Sequence, residues 1–116
     1  MTSLRRHRFA DDLDSQPANS SRGFDPDRLG HDTVFVVRKG DVLYAYRDAC
    51  PHISGARMPW RKDAYLDAHR TSIVCAAHGA RFEIETGRCT LGPCLGQSLE
   101  RVDVELADDG AIYLHL

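Results

Sequence analysis

The chain has 116 residues, 42% hydrophobic and 28% charged, with 15 basic against 17 acidic side chains for a formal charge of -2. That length allows one domain with one modest core, burying roughly two-thirds of the unfolded surface, and the near balance of charge excludes a global field that recruits nucleic acid or an anionic membrane. No apolar run approaches the roughly 20 residues of a membrane helix, and "LRRHRFADDLD" follows its arginines with acids instead of an apolar export region, so the expected compartment is the cytoplasm.

Residues 1–30 contain five arginines and five aspartates among Ser, Asn and Pro, with few large apolar groups. Such a segment buries too little to order itself, so it is expected to be ordered in part at most, ahead of a single domain over residues 31–116. At Thr33 the character changes. "TVFVVRKGDVLYAYRD" is two β-branched and aromatic runs separated by Lys39-Gly40-Asp41, which predicts a hairpin whose second strand delivers the chain to Cys50. "TSIVC" reads as a short strand ending at Cys75, and "RFEIETGRC" alternates Phe82 and Ile84 with charge before a Thr86-Gly87 turn. In the tail, Val102, Val104 and Leu106 share one strand face and Ile112, Leu114 and Leu116 another, joined by Asp108-Asp109-Gly110. Only "WRKDAYLDAH", between the two cysteine segments, is expected to form a helical turn. Short strands at close spacing without a long amphipathic helix predict an all-β fold, a small antiparallel sandwich or barrel.

The chemistry lies in two short motifs. Cys50-Pro51-His52 is C-x-H; after a loop of 22 residues, Ile53 to Val74, comes Cys75-Ala76-Ala77-His78, C-x-x-H. Each half places a thiol and an imidazole on one tight turn, and Pro51 and Gly79 suit such turns. Two sulfurs and two imidazole nitrogens fit either zinc or a 2Fe-2S cluster in which two histidines replace two cysteines on one iron. Zinc sites with this donor set more often group like ligands, whereas here each half contributes one of each. A Cys-His nucleophilic pair would leave the second motif unexplained, and Pro51 offers no oxyanion donor.

Cys50-Pro51-His52 and Cys75-Ala76-Ala77-His78-Gly79, followed by "TGRC" and "LGPC", resemble a Rieske-type 2Fe-2S ferredoxin of the small, low-potential, oxygenase-associated kind, from about Thr33 to the C-terminus. The resemblance implies a β-sandwich or barrel with a cluster-binding subdomain formed by two loops. It also implies one 2Fe-2S cluster with Cys50 and Cys75 on the inner iron, and His52 and His78 on the outer, exposed one. Two ferric ions, two sulfides and two thiolates sum to zero charge with neutral imidazoles, so this set is easier to reduce than a four-cysteine set that starts at about -2.

The implied role is one-electron transfer between a reductase and an oxygenase or hydroxylase, with no catalysis by the chain itself. No second catalytic domain is expected in the 38 residues that follow His78. High-potential members carry a serine and a tyrosine where this chain has Ala80 and Phe82, and a loop-bridging cysteine where it has Ala77. All three departures imply a potential near the low end of the Rieske range, about -150 mV. Two alternatives stand beside this: a small Rieske-like subunit of a larger oxidoreductase such as nitrite reductase, and a zinc-bound or redox-sensing interaction module.

"CTLGPC" has the C-x4-C spacing that opens a plant-type ferredoxin site, but that site needs a cysteine where Gln97 stands. Cys89 is expected as a small buried residue and Cys94 on a proline loop over the cluster, both as thiols rather than a disulfide. His7, His31, His69 and His115 lack ligand spacing and are expected to be solvated. Trp60 and Tyr65 are expected to pack the long loop. Arg57, Arg61, Lys62 and Arg81 flank the motifs as a candidate cationic docking rim.

Overall fold

The apolar run Val34–Val37 is buried on both faces, and the two faces serve different cores. Side chains alternate along an extended strand. Val34 and Val36 therefore enter one apolar cluster with Phe9, Ala45, Val102, Ile112 and Leu114, while Phe35 and Val37 enter another with Tyr46, Tyr65, Ile73, Phe82 and the four cysteines. The second cluster holds the candidate site.

The computed structural model describes residues 5–51, 58–59, 61–76 and 79–116. Among these the chain forms β1 (Arg6–Ala10), β2 (Ser20–Phe24), β3 (Val34–Lys39), β4 (Val42–Arg47), β5 (Ile73–Cys75), β6 (Ala80–Phe82), β7 (Cys89–Leu91), β8 (Arg101–Leu106) and β9 (Ile112–His115), with a short 3-10 turn at Leu13–Ser15. One antiparallel sheet has six strands in the order β1-β9-β8-β4-β3-β2, and a second has three in the order β5-β6-β7. Strand β8 joins the halves of the large sheet. Its first residues pair with β4 through Ala45–Val102 and Tyr46–Arg101, and its remainder pairs with β9 from Asp103–His115 to Leu106–Ile112. The all-β expectation and both hairpins hold; their turns use Gly40 and Gly110 at positive φ.

Two expectations are corrected. The polar N-terminal segment supplies β1 and β2, the two edges of the large sheet, instead of preceding the domain. Composition hides this because much of what fixes the segment is polar. The buried Arg38 guanidinium donates to the carbonyls of Leu13 at 3.2 Å and Gln16 at 2.8 Å, and the Gln16 amide donates to those of Ser20 and Val36 at 3.0 Å each. Phe9 and Phe24 meet edge to face at 5.4 Å, adding the apolar part.

Nor does "WRKDAYLDAH" form a helical turn in its described part. Asp63 takes a left-handed φ of 64°, and Leu66 bridges to Ile73 as an isolated β pair. The Asp67 carboxylate accepts from the backbone of Thr71 at 2.8 Å and Ser72 at 3.3 Å. These local bonds outcompete the helix and feed the chain into β5.

Candidate metal centre

Both candidate cysteines lie at strand ends in the second core. Cys50 follows β4 by three residues and Cys75 is the last residue of β5; each is fully buried and neither is disulfide-bonded. Around Cys75 the geometry is a tight hairpin. Cys75 stands directly opposite Ala80, and the Gly79 amide donates to the Cys75 carbonyl at 2.8 Å with Gly79 at φ 68°. His52 and His78, with Ala77, Arg57 and Trp60, lie outside the described residues.

The first loop is pinned at both ends by one buried acid. The Asp48 amide donates to the Thr33 carbonyl at 2.9 Å, and its carboxylate accepts from the Met58 amide at 2.8 Å and the Tyr65 hydroxyl at 2.7 Å. Tyr65 is itself buried and stacks on Phe35 at 4.1 Å and 9°, so its packing role is as expected. Burial and the neighbouring Asp48 carboxylate raise the Tyr65 phenol well above its ordinary range, which keeps it a proton donor.

Met58 also links the two loops. Its carbonyl accepts from the amide of Ala76, the residue after Cys75, at 2.8 Å. A chain of Asp48, Met58 and Ala76 therefore fixes one cysteine segment against the other with no disulfide between them. Sequence reasoning missed Asp48 and Met58. The only available signal was an acid placed two positions before Cys50.

A third segment closes the site. Gly92 sits so near β6 that a Cβ there would lie 2.8 Å from the Ala80 Cα, and the loop it opens carries Cys94 into the buried cluster that also holds Cys50. The Cys94 sulfur is 3.2 Å from that of Cys89, whose thiol is also 3.4 Å from the Leu91 carbonyl oxygen. Burial first, then Cys89 and Cys50, push the Cys94 thiol up to about 12. Both residues are buried thiols, as expected, in the same apolar cluster as Cys50.

Lys62 pairs with Asp32 at 2.6 Å and Asp63 at 3.3 Å, and Arg81 pairs with Asp67 at 2.7 Å, so two members of the expected cationic rim are neutralised by adjacent acids. His31 and His69 are exposed and His7 is half-buried, while His115 Nε2 lies 2.7 Å from Glu105 on the neighbouring strand β8.

Among the described residues no three metal-ligating side chains converge, so the four cysteines do not make a four-thiolate site. Two buried soft donors held by separate loops in an apolar core fit an iron-sulfur group that completes its coordination elsewhere. Among the described residues, no helix is long and apolar enough to cross a membrane.

The family model for the Rieske [2Fe-2S] domain matches residues 11–106. No curated protein sequence matches the chain. Among solved structures, the ferredoxin of carbazole 1,9a-dioxygenase from Nocardioides aromaticivorans IC177 is 29% identical, with 97% of each chain covered and a TM-score of 0.68. A chain in the complex of reduced oxygenase and oxidized ferredoxin of carbazole 1,9a-dioxygenase is 26% identical over 95% of this chain and 92% of that one, with a TM-score of 0.71. The Sphingomonas yanoikuyae B1 ferredoxin shares the fold at 18% identity, covering 97% of this chain and 99% of its own, with a TM-score of 0.68. With a motif-bearing core of this geometry and a domain match over most of its length, the chain belongs to the Rieske [2Fe-2S] domain family, and its cofactor is one 2Fe-2S cluster.

Proposed function

We propose that this chain is a cytoplasmic ferredoxin that carries single electrons from a reductase to a terminal oxygenase, and is not itself a catalyst. Cys50 and Cys75 would hold one iron of the cluster, and His52 and His78 the other. The observation that carries this reading is the paired placement of two buried thiols at the starts of two loops tied together through Met58. When bound, the cluster supplies a one-electron couple. The protein's part is to keep the thiols dry and fixed so that little rearranges when charge arrives.

The end-to-end match with a carbazole dioxygenase ferredoxin supports a carrier over a fragment of an oxygenase. The likeness to a ferredoxin recorded in complex with a reduced oxygenase supports the partner class. Presence of both buried cysteines argues against a cluster-free subunit, and the core around them against a zinc-only module. Ala80 opposite Cys75, and Phe82 two residues further along β6, offer no hydroxyl to a cluster sulfur, which supports a midpoint near about -150 mV.

The test is direct. Purified protein is expected to be brown, to contain two irons per chain on the order expected of one cluster, and to lose its visible absorbance on dithionite reduction. Cys50→Ser and Cys75→Ser should lose iron. Added to a reductase and a Rieske oxygenase, the protein should restore turnover that neither supports alone. A colourless zinc protein, or a strongly positive midpoint, would overturn the reading.

A further inference from the structure

We propose that Cys89 and Cys94 form a modification site, a dithiol that small-molecule disulfides of the glutathione class close reversibly into a staple across the proline loop. The two sulfurs lie 3.2 Å apart, each residue is 1% exposed, and neither is disulfide-bonded. A disulfide bond is about 2 Å long, so roughly 1 Å of side-chain movement separates the contact from the bond.

The backbone brings the sulfurs together. The loop is shut at its base, where the Cys89 amide donates to the Gln97 carbonyl at 2.8 Å and Arg88 bridges to Ser98. Within it the chain turns at Gly92 and Gly96, both at positive φ, and the Gln97 amide donates to the Cys94 carbonyl at 2.9 Å. Every residue from Thr90 to Ser98 is exposed except Cys94, which meets Cys89. Cys94 is therefore the loop's one buried anchor, and in the dithiol no covalent bond holds it.

Closing so short a ring between sulfurs already in place orders little that is not ordered beforehand. One cysteine sulfur attacks the disulfide of the oxidant and releases a thiol; the other then displaces the second thiol. Two protein S–H bonds and the oxidant's S–S bond break, one S–S bond forms in the protein and two S–H bonds form on the released thiols. Two electrons thus pass from the pair to the oxidant. Reduced thiol in excess keeps the pair open, and a rising oxidised fraction closes it. The bond joins β7 to its own loop, whose anchor lies in the apolar cluster with Cys50 and Cys75, and leaves the two motif loops unbridged.

The experiment holds cluster-loaded wild type without oxygen in glutathione buffers of rising oxidised fraction. Burial of both sulfurs slows the exchange without moving its end point, so incubation continues until the distribution is constant. Iron content and visible spectrum are recorded, thiols are trapped with N-ethylmaleimide under denaturing conditions, and the protein is cut with trypsin. Cleavage after Arg88 and Arg101 releases both cysteines on one peptide, apart from Cys50 and Cys75. That peptide is expected to carry two labels in reduced buffer. In oxidised buffer it should carry none and be two hydrogens lighter, with dithiothreitol restoring the labels. The melting temperature should rise by roughly 5–10 °C from reduced to oxidised buffer. It should stay level in Cys89→Ser and in Cys94→Ser, either of which suffices if the other fails to fold.

A peptide labelled twice at every buffer ratio overturns the proposal, as does glutathione on either cysteine in place of the internal bond. A bond to Cys50 or Cys75, closure that begins only once iron has been lost, or a closed pair with an unchanged melting temperature overturns it equally. Wild type purified without iron would count against the electron-carrier reading above, and the labelling of the peptide would still decide this proposal by itself.

Discussion

Replacing Gly92 with alanine should damage the protein more than the same change at Gly96, four residues along the same loop. Both glycines adopt positive φ, 107° and 91°, where an L side chain strains the backbone by roughly 1–2 kcal/mol. Both substitutions also restrict the unfolded chain equally, so that contribution cancels in the comparison. The difference is steric. A Cβ at Gly96 meets nothing within 4 Å, whereas one at Gly92 would lie 2.8 Å from the Ala80 Cα and 3.2 Å from its Cβ.

Ala80 is a fully buried strand residue and cannot yield as a flexible side chain would, so overpacking adds about 1–3 kcal/mol. For a domain of this size about 4 °C of melting temperature is lost per kcal/mol. Gly96→Ala should therefore fall by roughly 4–8 °C and Gly92→Ala by roughly 8–20 °C. Thermal melts of cluster-loaded protein, followed by circular dichroism, would measure both. Equal losses would show that the close packing of the proline loop on β6 contributes nothing.

Tyr65→Phe removes a donor from the buried Asp48 carboxylate and should cost about 1–3 kcal/mol; a denaturant midpoint unchanged from wild type would show that the bond adds no net stability. Asp67 offers a pH signature. Burial raises its carboxyl pKa, but the amides of Thr71 and Ser72 and the Arg81 guanidinium outweigh this and leave it lowered from 3.8. A depressed carboxylate contributes stability above its unfolded pKa and loses it as pH falls through the folded value. Melting temperatures of wild type and Asp67→Asn should therefore differ at pH 7 and converge below about pH 3.8; a constant gap would locate the effect elsewhere. Because Lys62 is held by Asp32 and Asp63, Lys62→Gln should change the rate of reduction by a partner less than about twofold at any ionic strength. A marked loss confined to low salt would return Lys62 to the docking surface.

Strands whose backbone pattern coincides with an apolar pattern were legible from the chain alone. The 34–47 and 101–116 hairpins announce themselves by alternation and a glycine turn, and the C-x-H and C-x-x-H motifs by donor spacing. Strands β1 and β2 were not legible, because Arg38, 14 positions after β2 ends, and Gln16, four before it begins, help fix the segment through carbonyl contacts that no local pattern encodes. For the same reason one segment of the loop between the motifs read as a helical turn. Its fate is decided by Asp67 folding back on Thr71 and Ser72, and by Tyr65 stacking on a strand 30 residues earlier in sequence. The ion pairing of Lys62 and Arg81 within the candidate rim was not legible, because sequence gives the sign of a charge and not its neighbour. Asp32 is far from Lys62 along the chain and 2.6 Å from it in space.

The Met58 junction bears on how such a protein can diverge. Asp48 and Ala76 grip the two sides of a single peptide unit's residue, so the cysteine segments keep their spacing as long as residue 58 stays where it is. Chain length between Cys50 and Met58 is then a separate variable from the geometry of the thiols. Insertions or deletions after His52 would leave the sulfur positions intact. Changes between Met58 and Tyr65 carry no such freedom, since both ends of that stretch are bound to the same carboxylate.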